Sequence, residues 1–238
     1  MKRRHLLRNS LIASGALGLG GTAVWHSVFD GPITNPCLAG GLPEHLKHHP
    51  IMQRAMGNID LSQLWDCHFH LLANGLSESF NGQASGAWLN PKMRSWTSVQ
   101  QRLQYAFYLN AAIDDEQTVD KTFVERLSAT LHDIPVSAHL MLLAFDYQLD
   151  DQGKIDQESS TFYIPNEYAA AVAATHPQLE WIASIHPYRE DAVKRLQWCF
   201  ENGARAVKWL PPAQNIDPSS SRCDAFYEKL NQLNMPLL

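Results

Sequence analysis

Hydrophobic and polar positions follow two rhythms along this chain. Apolar runs of strand length recur at residues 65–72, 138–146, 181–186 and 204–210, and residues 235–238 open a fifth. Between them, apolar residues return every three or four positions, the period of a helix with one buried face. Val99, Leu103, Ala106 and Phe107 form such a stripe within 99–113, and Phe123, Leu127 and Leu131 form one within 118–132. Residues 165–175 are alanine-rich, with Glu167 in the first turn, where the helix dipole favours a carboxylate. Residues 190–202 end before Gly203, a C-terminal stop, and 223–233 complete the series.

Uninterrupted apolar runs such as 138–146 suit strands covered on both faces, which is the habit of parallel sheets. Strand and helix in alternation predict right-handed βαβ units and an α/β fold. Two polar stretches, 73–97 and 147–160, read as loops. The first has the length of a lid or binding loop. Its Trp88 and Trp96 either line a pocket or pin the loop down.

The first sixty residues break this rhythm. Residues 1–30 begin with a basic cluster, Lys2, Arg3, Arg4 and Arg8, then run through a short glycine-rich apolar stretch. That is the layout of an export signal. The adjacent Arg3 and Arg4, with Leu6 and Leu7 behind them, resemble a twin-arginine signal. The expectation is export to the periplasm or anchoring at the inner membrane, since no clean small-residue cleavage site follows. Residues 31–62, rich in Pro and Gly at their start, read as irregular, with His45, His48 and His49 solvated.

Composition narrows the field. The chain has 238 residues, 45% of them hydrophobic and 18% charged, with a net charge of -5. This describes a globular protein without the basic field that draws nucleic acid. Four cysteines, Cys37, Cys67, Cys199 and Cys223, include no CxxC pair and suggest no disulfide framework. Cys67 and Cys199 sit in apolar runs and read as buried thiols.

The chemistry gathers in the first strand, Trp65-Asp66-Cys67-His68-Phe69-His70. Alternation with period two places Asp66, His68 and His70 on one face. Two imidazoles spaced this way lie about 6–7 Å apart at their Cα atoms. They can converge on one divalent ion such as zinc. The Asp66 carboxylate is then placed to orient a ring or hold a proton. Later strands also end in polar groups: Asp146, His186 and Lys208. In parallel α/β folds, chemistry collects at that rim.

These residues resemble the amidohydrolase superfamily, in particular its amidohydrolase-2 branch, which includes aminocarboxymuconate-semialdehyde decarboxylase. The Trp-Asp-Cys-His68-Phe-His70 run looks like that family's first metal motif. Ile185-His186-Pro187 and Ala206-Val207-Lys208-Trp209-Leu210-Pro211-Pro212 look like its third and fourth strand ends. The resemblance spans residues 63–238 and implies a partial (β/α)8 TIM barrel of about four and a half βα units. It implies a metal-dependent hydrolase with one or two divalent ions, commonly zinc. His68 and His70 would be metal ligands and Lys208 a further, bridging ligand. His186 would polarise or orient substrate, with Asp66 supporting a ring.

The family places further ligands on later strands, so the expectation is half a barrel. Either the frame is truncated or split, or a second copy or complementing chain completes it. A small-molecule substrate is expected. The alternatives are a metal-dependent decarboxylase of the same fold and an inactive fragment. A metal-free secreted binding module built on Trp88 and Trp96 is a further reading.

Overall fold

Four of the apolar runs lie side by side as parallel extended segments. The computed structural model describes residues 43–95, 97–112, 116–133 and 137–238. The expected leader, Cys37, Trp96 and Ile113 lie outside the described residues. The central sheet has the order β1 (Trp65–His70), β3 (His139–Leu143), β5 (Leu179–Ile182), every neighbour parallel. The next two runs continue it as single parallel bridges, Ala183 to Val207 and Val207 to Leu237. The Lys208 N–H donates to the Ala183 carbonyl at 2.8 Å, and the Leu238 N–H to the Val207 carbonyl at 2.9 Å. A small antiparallel pair, β2 (Trp88–Leu89) with β4 (Phe162–Tyr163), forms a second sheet, tied to the run after β3 by the Phe145–Ile164 bridge.

Eight α-helices occur among the described residues. Two short ones lead in, α1 (Glu44–Lys47) and α2 (Pro50–Met56). The others are α3 (Val99–Ala112), α4 (Val119–His132), α5 (Asn166–Ala173), α6 (Ala192–Glu201), α7 (Pro211–Gln214) and α8 (Asp224–Leu233). The protein is therefore a mixed α/β fold on a parallel sheet. No helix of the described residues is long and apolar enough to cross a membrane.

The two faces of the sheet differ. Leu140, Leu142, Trp181, Ala183 and Val207 merge with Leu127, Leu131, Val172, Leu196, Phe226 and Leu230 from the helices into one core. Each such buried side chain is worth about 1.5–3 kcal/mol relative to exposure. On the other face, Leu143, Ile182 and Ala206 form a smaller cluster edged by Met141. That second face carries the polar residues.

β1 departs from its expected burial and from strict alternation. Trp65 is 41% exposed and Cys67 is exposed, where a buried strand was predicted. The reason is position, for among the described residues β1 pairs with β3 alone. Cys199, by contrast, is fully buried, and burial pushes its thiol up to about 12.

The pairing register holds Trp65 beside His139 and Asp66 beside Leu140, then Phe69 beside Leu142 and His70 beside Leu143. Cys67 and His68 together face Met141, which makes a β-bulge. Laterally paired residues point to the same face. Trp65 and His70 thus share the polar face, and Asp66 turns with Leu140 toward the helix side.

The 73–97 stretch is strapped down. Fully buried Asp120 accepts the Asn74 N–H at 2.7 Å, the Gly75 N–H at 3.1 Å and the Ser85 hydroxyl. The Asn90 amide donates to the Ser160 carbonyl at 2.7 Å. Trp88 lies 5.5 Å from the Tyr147 ring, so it helps to pin the ribbon.

Candidate metal centre

Three nitrogen bases meet at the polar face of the sheet. His68 Nε2 lies 3.1 Å from His70 Nε2, and Lys208 Nζ lies 2.9 Å from His68 Nε2. β1 supplies both imidazoles; Lys208 arrives on the segment hydrogen-bonded beyond β5. Burial lowers the pKa of Lys208 below that of a free lysine. Burial first, then the charges of His68 and Lys208, hold His70 below the usual histidine range. Three bases this close cannot all be cationic. Neutral nitrogens so placed can hydrogen-bond one another or hold one cation between them.

The separation fits that use. Two nitrogens at about 2.0–2.1 Å from a tetrahedral zinc stand about 3.3 Å apart, and the imidazole pair here is 3.1 Å apart. Among the described residues no three His, Cys, Asp or Glu side chains gather around a point. The Lys208 amine, 2.9 Å from His68 Nε2, is the nitrogen donor that stands beside the imidazole pair. Beside it, Leu71, Leu143, Phe145, Phe162 and Leu210 line a narrow apolar cleft with His70 and Lys208.

Asp66 has a different role from the one its position in the sequence implied. Its Oδ1 accepts the His68 backbone N–H at 3.0 Å. The bulge sends its carboxylate to the main chain instead of to a ring.

His186, expected to touch substrate, has both ring nitrogens engaged. It is fully buried. Nε2–H donates to the Gln214 carbonyl at 2.7 Å, and Nδ1 accepts the Tyr188 N–H at 3.2 Å. A carbonyl can only accept, so this assigns the neutral Nε2–H tautomer. Burial pushes the ring down to about 4. His186 belongs to a polar clasp under the rim and is not part of the three-base group.

Gln214, which sequence reasoning did not single out, is the centre of that clasp. Its Nε2 donates to Ser184 Oγ at 3.2 Å and to the Asp146 carbonyl at 3.3 Å, and its Oε1 accepts the Leu210 N–H at 2.7 Å. One side chain thus ties the ends of β3, β5 and the Lys208 segment. The Asp146 carboxylate accepts the His186 and Tyr147 N–H groups and Arg189 Nη1 at 3.1 Å. No local motif marks Gln214; a polar residue four places past Leu210, after two prolines, is the only trace. His45, His48 and His49 are exposed, and His49 Nδ1 caps α2 by accepting the Ile51 N–H.

Comparison of the chain with protein-family models, with curated proteins and with solved structures gives no match.

Proposed function

We propose that this chain is a metal-dependent hydrolase of the amidohydrolase kind, built on part of a (β/α)8 barrel. One observation carries the reading: two imidazole Nε2 atoms 3.1 Å apart, with a lysine amine 2.9 Å from one of them, at the rim of a parallel sheet. The pattern of the sequence, HxH on the first strand with lysine at the end of the fourth, supports it.

His68 and His70 would hold the ion, with Lys208 as third donor through its amine. Zinc bound there would lower the pKa of a coordinated water towards about 7 and polarise a substrate carbonyl. The chain's own contributions are positional and electrostatic. The Asp66 carboxylate fixes the His68 backbone. Gln214 fixes the segment that carries Lys208. Phe145, Phe162 and Leu210 line the apolar cleft beside His70. His186 gives structure to the rim and moves no proton.

The test is metal content. The purified full chain, dialysed against zinc and then against metal-free buffer, is expected to retain zinc. His68→Ala and His70→Ala are each expected to lose it. Retention of wild-type zinc levels in both variants would overturn the reading.

A further inference from the structure

A second cleft opens on the same rim, and the proposed metal chemistry makes no use of it. Its volume is about 510 Å³. Its walls come from segments that follow three neighbouring strands. Asp151 follows β3, Tyr188 follows β5, and Pro211, Asn215, Asp217 and Arg222 follow Lys208. Leu210 borders the apolar cleft beside His70, and Pro211, next in the chain, borders this one.

The cleft is held in shape on two sides. The Tyr188 hydroxyl donates to the Asp217 carbonyl at 3.2 Å and accepts the Asp217 N–H at 3.0 Å. The Arg222 guanidinium lies over the Tyr188 ring, 3.7 Å from its centroid. Arg222 lines the cleft, and among the described residues it has no ion-pair partner. Beside it, Asp150 Oδ1 accepts the Gln152 and Lys154 N–H groups, each at 2.9 Å, and closes a tight turn. Gly153 in that turn has φ +78°, and a Cβ there would sit 2.5 Å from the Tyr188 carbonyl oxygen. Glycine therefore lets the turn press against Tyr188 and carry Asp151, which is exposed and also lacks an ion-pair partner among the described residues, to the mouth.

The charges decide the ligand. The Asp217 carboxylate already accepts the Ser219 N–H at 2.9 Å and the Ser219 hydroxyl at 2.7 Å, which leaves Arg222 and Asp151 as the charges of the lining. A simple anion would meet Arg222 but also the Asp151 carboxylate, and a simple amine would meet the reverse. A molecule with both signs is matched to both. We propose that this cleft binds the head of a free α-amino acid, its carboxylate on Arg222 and its ammonium on Asp151. Resting on the hydrolase reading, this names the substrate class: an α-amino-acid head joined through its side chain to the carbonyl group that reaches the metal.

The test is calorimetry on the full chain with three probes of the same size: L-alanine, propionate and ethylamine. L-alanine is expected to bind, and propionate and ethylamine at least about tenfold more weakly, since charged contacts are the strong ones. Arg222→Met, which keeps the stack on Tyr188, and Asp151→Asn should each weaken L-alanine about tenfold with an unchanged melting temperature. Failure of the wild-type chain to bind L-alanine, equal binding by Arg222→Met, or propionate binding as well as L-alanine would each overturn the proposal. Zinc content of the same samples separates the two readings. L-alanine bound without zinc would sink the metal centre and leave this site standing; zinc retained without L-alanine binding would do the reverse.

Discussion

Lys208 Nζ and His68 Nε2 lie 2.9 Å apart, although 140 positions separate them in the chain. The contact joins the first strand of the sheet to the segment three strands away, across the polar face of the sheet. An amine whose basicity burial has reduced stands beside two imidazoles, and this sets the expectations for metal.

Zinc should depend on the three bases unequally. His68→Ala and His70→Ala each remove a ligand from a pair and should abolish stoichiometric zinc. Lys208→Met leaves the pair and should weaken zinc by roughly ten- to a hundredfold, the usual effect of losing a supporting group. Competition with a chelator measures all three; equal affinity in Lys208→Met and wild type would remove Lys208 from the site.

Acid should weaken the fold through His186. In the unfolded chain this ring titrates near 6.5, and in the folded chain near 4. Above pH 6.5 both states are neutral there. As pH falls from 6.5 to 4, the unfolded state takes up a proton that the folded state refuses. Stability is lost across that window, by about 3 kcal/mol in total. Urea unfolding at pH 7 and pH 4 should therefore show a smaller acid loss in His186→Gln than in wild type. Identical losses in the two proteins would show that the ring has no part in it.

Gln214→Leu should destabilise the rim. It removes three side-chain hydrogen bonds and leaves the Leu210 N–H without its acceptor, at a cost of about 2–3 kcal/mol. Because the Lys208 segment loses its tie, zinc affinity should fall as well. A variant with wild-type unfolding midpoint and wild-type zinc affinity would refute the clasp.

Asp120→Ala should release the ribbon after β1. The Asn74 and Gly75 N–H groups and the Ser85 hydroxyl lose their common acceptor, costing about 3 kcal/mol or more. Limited proteolysis should then cut within residues 73–87 well before the rest of the chain. A protease-resistant variant would mean that β2 and β4 hold the ribbon unaided.

What was readable in the sequence was what local periodicity encodes. The Phe123, Leu127 and Leu131 stripe forms the buried side of α4, and Gly203 follows α6 with φ +84°. The parallel neighbours also follow from the alternation of strands and helices. Boundaries shifted where ladder pairing, not apolarity, sets the limits, so β5 is Leu179–Ile182 instead of reaching His186. In the site, the closeness of His68, His70 and Lys208 was legible because each lies in an apolar run of strand length, and parallel strands bring such positions to one rim. The commitments of Asp66 and His186 were not, because a bulge and a carbonyl 28 residues away decide them. Gln214 acts only through contacts between distant segments, and such contacts leave no periodic trace.

The two-for-one step at Cys67 and His68 also sets the tolerance of β1 to changes in length. Six residues of β1, Trp65 to His70, span five of β3, His139 to Leu143, and the five steps between Trp65 and His70 bring the indole and the imidazole to one side. Deleting Cys67 would restore even spacing, and one end of the strand would then have to rotate by half a turn. Either the indole would leave His139, on which it stacks at 4.3 Å, or the imidazoles would swing into the helix layer. Substitutions along this strand change a side chain at a time; loss of one residue would exchange its two sides.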